Sequence, residues 1–242
     1  MSHAALIRRA IPAYFQQVTP DRRDAILGEK INISPHLGFI YLRNGGIALD
    51  VDHLVQMNHR NVADSNIPAA VSLGANQFQI AASGVTEDQY AGGVMFVYGG
   101  TGQGTRIGIA SNTATASGNI TVRLVDDLPV ALDATSDVRL VASLFNGVVE
   151  SVGGTSDIVL ASTIQDVPAN MYFWGAYGVT QGIAGAAIAS GDNDGTPIVK
   201  SDAGEFQLQS SSDPQREIGS LLVSGAISAN DVVPIFLNPP GV

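Results

Sequence analysis

Residues Tyr90 to Asn112 read YAGGVMFVYGGTGQGTRIGIASN. Two short apolar runs, Val94–Tyr98 and Arg106–Ala110, flank the glycine-rich stretch Gly99-Gly100-Thr101-Gly102-Gln103-Gly104. Glycine reaches positive φ without steric cost, so such a turn between β-rich runs specifies a hairpin. The grammar of short strand, small-residue turn and short strand recurs downstream, and a mainly β chain is expected.

The same glycines do not make a phosphate cradle. A P-loop needs a lysine and a hydroxyl residue directly after its last glycine. Here Thr105 and Arg106 follow Gly104. Dinucleotide spacing from Gly102 and Gly104 would need glycine at Ile107, and the downstream segment reads as a strand where a helix N-terminus should hold the phosphates.

Working outward, Phe78 and Ile80 suggest a strand. Thr86-Glu87-Asp88-Gln89 has capping-box spacing for a single helical turn. Ile120–Val125 and Val138–Ala142 read as strands joined by the turn-rich DDLPVALDATSD, and Phe145-Asn146-Gly147-Val148 as another turn signal. Asp157–Ala161 follows, and Pro168 marks a seam. Beyond it come Met171–Tyr177, Gly182–Ile188, Pro197–Lys200, Glu205–Leu208, Glu217–Val223 and Val232–Leu237. Upstream, Phe39–Arg43, Asn44-Gly45-Gly46 and Ile47–Asp52 predict a hairpin, with Ile47, Leu49 and Val51 alternating on the return strand. Strands at this density predict a β-barrel or β-sandwich body of short antiparallel strands, divided as 1–75, 76–166 and 167–242.

Residues 1–36 are the least regular. Ala4–Arg9 and Asp21–Leu27 are helix candidates interrupted by Pro12 and Pro20, with Gly28 placed to end the second. The segment reads either as short helices packed on the body or as an arm reaching a neighbouring subunit. In the second reading Tyr14 and Phe15 are anchors, and Arg8, Arg9, Arg22 and Arg23 are ion-pair donors.

Charged residues make up 14% of the 242, against a typical share of about 25%. Net charge is −10, divided as +2 over residues 1–60 and −12 over 61–242. An acidic body repels phosphate backbones, so nucleic acid is not an expected partner. There is no cysteine, which removes disulfides and thiolate chemistry. No apolar run reaches the length of a membrane span, and Arg8 and Arg9 interrupt any leader-like hydrophobic stretch.

His53 and His59 lack further ligands nearby in sequence, and His3 and His36 stand alone, so no metal is expected. Gly191-Asp192-Asn193-Asp194-Gly195 resembles part of a calcium loop, but Ser190 and Ser201 fall where its first and last ligands belong. Asp126, Asp127, Asp133 and Asp137 are close in sequence without a catalytic signature; they suit turns better than an acid–base pair. Tyr172, Phe173, Trp174 and Tyr177 are the densest aromatic cluster, with one strand face expected in the core and the other available for a subunit contact. No catalytic residue and no cofactor is expected.

Two blocks resemble the capsid decoration, or cement, proteins of tailed double-stranded DNA phages. The first is residues 86–150, with TEDQYAGGVMFVYGGTGQGTRIGIASNTAT, ITVRLVDDL and SDVRLVASLFNGVV. The second comprises MYFWGAYGVTQGIAG, IASGDNDGTPIVKSDAGEF and REIGSLLVSGAISANDVVPIFLN, whose order is similar to the compact, β-tulip-like barrel module of that family. The likeness covers roughly residues 80–238, about two thirds of the chain, and residues 1–75 stand outside it.

The resemblance implies a non-enzymatic virion protein, made in the host cytoplasm, that binds the outer capsid surface. It further implies contact with the major capsid protein and with itself, as a trimer. Three alternatives stand beside it. One is a head–tail connector, tail or fibre-base protein. Another is a glycan hydrolase using Asp126 or Asp127. The last is a carbohydrate-binding barrel, which would need Trp174 exposed.

Overall fold

The computed structural model describes residues 13–20, 25–58, 61–152, 158–189, 195–201, 203–209 and 217–238. The chain is mainly β. A four-residue 3-10 turn, Ala13–Gln16, precedes β1 (Lys30–Ser34), β2 (Leu37–Asn44), β3 (Leu54–Gln56), β4 (Asn61–Asn66), β5 (Gln77–Ala81) and β6 (Val94–Gly99). Next come β7 (Arg106–Asn112), β8 (Asn119–Leu124), β9 (Asp137–Val141), β10 (Asn146–Glu150) and β11 (Val159–Ser162). The last are β12 (Tyr172–Ile183), β13 (Pro197–Lys200), β14 (Phe206–Leu208), β15 (Gly219–Leu221) and β16 (Val232–Leu237).

Two compact units divide the chain: one is residues 1–58 with 147–242, the other residues 59–146. These bounds cut the chain differently from 1–75, 76–166 and 167–242. The second unit is an insertion between β3 and β10, and both sides of Pro168 belong to the first unit.

The first unit is a ten-stranded sheet ordered β1-β2-β10-β3-β11-β12-β16-β15-β13-β14, with β2 also paired to β12. That extra pairing closes β2, β10, β3, β11 and β12 into a ring. A second ring runs β12-β16-β15-β13-β14 and returns through a bridge between Ala184 and Phe206, just past the end of β12. One long strand therefore serves both rings. Its first half pairs with β2 from Tyr172↔Arg43 to Gly178↔Leu37, and its second half with β16 from Gly178↔Leu237 to Ile183↔Val232. Gly178 stands at the handover with φ 76°, and a Cβ there would overlap the His36 carbonyl oxygen. Only glycine fits that backbone.

The inserted unit is a six-stranded, barrel-like sheet ordered β4-β9-β6-β7-β8-β5. Alternate residues of its strands enter one core, among them Met95, Val97, Ile107, Ile109, Val122, Leu124, Val138 and Leu140. The β6–β7 hairpin forms as expected. The Gly104 N–H donates to the Val97 oxygen at 2.8 Å, and the Val97 N–H to the Thr105 oxygen at 2.9 Å. Thr86–Gln89 is a hydrogen-bonded turn without helix, and its expected reciprocal contact is present, the Thr86 N–H donating to Gln89 Oε1 at 3.2 Å.

The expected hairpin at Asn44-Gly45-Gly46 does not form. β2 pairs with β1, β10 and β12, while Ile47 is 73% exposed and Leu49 bridges Val167. The cause is the Asn44 side chain, which is buried. Its amide donates to the carbonyls of Ile47 (3.0 Å) and Pro168 (2.9 Å), and its oxygen accepts the Met171 N–H at 2.7 Å. A buried carboxamide with its hydrogen bonds met holds the outgoing chain away from β2. At the second Asn-Gly signal a turn does form, at Leu144–Phe145, closed by the Asn146 N–H donating to the Ser143 oxygen at 3.1 Å, with Gly147 at φ 76°. The buried Asn146, which donates to the Asp88 and Ala91 carbonyls at 2.8 and 3.1 Å, then opens β10. Ala25–Gly28 form a bend and turn, not the end of a helix. The candidate helix Ala4–Arg9 lies outside the described residues.

Candidate functional site

Of the six residues expected at an interface, Arg8, Arg9, Arg22 and Arg23 lie outside the described residues. The structure places Tyr14 and Phe15 in the 3-10 turn, and it docks that turn on the same chain. Phe15 is buried and stacks on Phe39, with ring centroids 4.3 Å apart and planes 19° from parallel. It also meets Trp174 edge-on at 5.3 Å. Tyr14 sits edge-on to Phe15 and 5.9 Å from Trp174 but remains 43% exposed. A bridge between Thr19 and Tyr172 continues the attachment. Phe15 therefore anchors the turn to its own body, and Tyr14 is the member left accessible.

Both faces of the aromatic strand are core. Tyr172, Trp174 and Ala176 belong to the cluster under the 3-10 turn, with Phe39 and Tyr41. Phe173, on the opposite face, is equally buried, so neither face is open to a subunit. Trp174 is 2% exposed, which withdraws the condition for sugar stacking on it. Among the described residues its Nε1 has no hydrogen-bond partner.

Asp126, Asp127 and Asp133 lie in the connection between β8 and β9, while Asp137 opens β9. Asp133 accepts from the Thr135 N–H (2.8 Å) and hydroxyl (2.6 Å) and from the Thr101 hydroxyl (2.8 Å). The Ser136 hydroxyl adds a bond to the Thr101 carbonyl at 2.6 Å. The glycine-rich turn is thus laced to the loop before β9. These bonds, from the Thr135 and Thr101 side chains first, hold the Asp133 carboxyl below its ordinary value of 3.8. A group whose folded pKa is depressed adds stability above its unfolded pKa and loses it as pH falls through the folded one. The protection of the Thr101 and Thr135 amides, relative to the intrinsic exchange rate at each pH, is expected to fall on acidification below 3.8. In Asp133→Ala that protection should be low at every pH. Unchanged protection in that variant would remove Asp133 from this role.

Sequence reading missed one arrangement. His53 Nδ1 lies 2.9 Å from Glu150 Oε1, and the Asp50 N–H donates to the same oxygen at 3.0 Å. Ligand atoms of Asp50, His53 and Glu150 lie within 4.8 Å of one another, a donor set suited in type to a divalent cation. As described, the set is a hydrogen-bonded clip between the β2–β3 loop and β10. Thr163 braces the loop, its hydroxyl accepting from the His53 N–H at 3.0 Å while its own N–H donates to the His53 oxygen at 2.9 Å. Glu150 is 97 positions from His53, so no local spacing could signal the pair. His59 and Gly191–Asp194 lie outside the described residues.

A cavity of about 300 Å³ lies in the first unit beside the handover glycine. Among its lining residues are Asn32, His36, Tyr177, Gly178, Phe236 and Asn238. The Tyr177 hydroxyl donates to Asn32 Oδ1 at 2.8 Å, and burial pushes its phenol up. None of Asp126, Asp127, Asp133 or Asp137 lines it.

No protein-family model matches the chain, and neither the curated proteins nor the solved structures contain a match to it.

Proposed function

We propose that this chain is a virion structural protein that binds the outer surface of a phage head as a decoration, or cement, protein and has no enzymatic role. The reading rests on the likeness of residues 86–150 and 171–238 to that family, and chiefly on the order of elements in the second block. An aromatic strand, a small-residue stretch and short strands closing on Val232–Leu237 make up one β-tulip-like module in this reading. The build of the chain is compatible with the task. A cement protein needs stiff bodies and close contacts, and closed β rings suit the first. Repeated weak contacts over a lattice then gain avidity from multivalency.

In this proposal the major capsid protein is the partner, and the protein is made in the host cytoplasm and assembles on the head as a trimer. Arg8, Arg9, Arg22, Arg23 and Tyr14 are the proposed capsid-contacting residues, and Phe15 anchors the turn Ala13–Gln16 to the body. The test is copy number in purified virions of the encoding phage. Hundreds of copies per particle are expected. A dozen or fewer would select a connector, tail or fibre-base component, and absence from particles would overturn the virion reading.

A further inference from the structure

The outward side of the inserted unit's sheet has a composition unlike the rest of its surface. Along β6, Met95 and Val97 enter the core while Val94, Phe96 and Tyr98 point away from it. Strand register places Arg139, Phe96 and Arg106 in one row across β9, β6 and β7, and Val141, Val94 and Gly108 in the next. The Arg106 guanidinium lies over the Phe96 ring at 5.9 Å, and that of Arg139 over Tyr98 at 5.2 Å. Arg123 is exposed on β8, Tyr98 is 41% exposed, and Val125 is 63% exposed.

Arg106, Arg123 and Arg139 are the only basic residues between positions 61 and 146, a stretch without lysine. An apolar and aromatic centre flanked by arginine, with lysine depleted, is the composition of a protein interface.

Opposite charge borders the same face. The Val125 N–H donates to the Gly108 oxygen at 2.9 Å, two residues along β7 from Arg106. Asp126 and Asp127 follow at once, both exposed. Among the described residues neither they nor Arg106 and Arg123 make an ion pair. A positive row beside a negative turn is complementary to itself under a two-fold rotation, since each patch then meets the other's opposite. A polyanion is a poorer occupant, because a chain of net charge −10 repels it at long range.

We propose that this face is a self-association surface that docks against the same face of a second copy. Phe96, Tyr98 and Val125 lie at its centre, and Arg106 and Arg139 meet the partner copy's Asp126–Asp127 turn. This two-fold contact is separate from the three-fold contact of the proposed trimer, and the inference stands whether or not the protein is a virion component.

Sedimentation or light scattering on the full chain over rising concentration tests it. Wild-type protein is expected to associate and to dissociate as salt rises from about 0.1 to about 1 M. Arg106→Glu with Arg139→Glu should weaken association at least about tenfold, and so should Asp126→Lys with Asp127→Lys. The two variants mixed should form a heteromer that neither forms alone, which also shows that both are folded. The proposal is overturned by a wild-type monomer at every concentration, even one that retains an acidic protein or a polyanion. Variants that associate like wild type, or a mixture that stays monomeric, overturn it equally.

Discussion

Replacing Gly178 by alanine is expected to destabilise the first unit by about 3 kcal/mol or more. Two costs add. Alanine at φ 76° sits in the left-handed region, and its Cβ collides with the backbone oxygen of His36. His36 lies in the tight turn between β1 and β2, where its carbonyl accepts the Val179 N–H at 2.6 Å, so this oxygen cannot step aside as a side chain would. The position also couples the two rings, since Gly178 pairs with Leu37 on β2 and with Leu237 on β16. At about 2–4 °C per kcal/mol for a chain of this size, the melting transition should fall by about 6–12 °C. Gly46→Ala is the control: its Cβ meets nothing within 4 Å, and stability should change by less than about 0.5 kcal/mol. Equal melting of the two variants would show that the backbone at the handover relaxes without cost.

Trp174→Ala is expected to cost about 3–5 kcal/mol, the range for removing a large aromatic from a core. The indole contacts Tyr14 at 5.9 Å, Phe15 at 5.3 Å and Tyr41 at 4.9 Å between ring centroids. Truncation therefore removes both its own buried surface and the surface on which the N-terminal turn rests. Chemical denaturation followed by circular dichroism gives the stability, because the variant lacks the chain's single tryptophan. Limited proteolysis gives the second readout, with cleavage before β1 expected to accelerate well ahead of global unfolding. A variant that loses stability while its N-terminal turn stays protected would mean that Phe39 alone holds Phe15.

Much of the β architecture is legible locally. Pro197–Lys200 and Val232–Leu237 are strands with the bounds their composition suggests, and the β6–β7 hairpin follows from its glycines. What escapes local reading is the destination of each strand. The period-two pattern at Ile47, Leu49 and Val51 is genuine, but no local pattern reveals that Asn44 will bond to Pro168 and Met171. Asn-Gly was read for its backbone freedom, whereas both asparagines act through buried carboxamides. The His53–Glu150 clip and the arginine row on the inserted sheet are likewise products of register between strands far apart. Of the six residues expected at an interface, the structure describes two, and it turns Phe15 inward because Phe39 and Trp174 offer it more apolar contact than water does.

The insertion of residues 59–146 between β3 and β10 sets an order on synthesis. β1, β2 and β3 leave the ribosome first, yet β10, β11 and β12, which complete their ring, are encoded only after the whole insert. The insert has no such wait, because β4 to β9 pair only with one another. It can finish its sheet while the earlier strands still hold open edges, the form in which nascent β segments are prone to pair with the wrong neighbour. Crowded translation of many copies on one message would place those open edges side by side. A slow step in the ribosome's passage just after residue 146 would lengthen that exposure, and a chaperone that caps strand edges would act on residues 30–56.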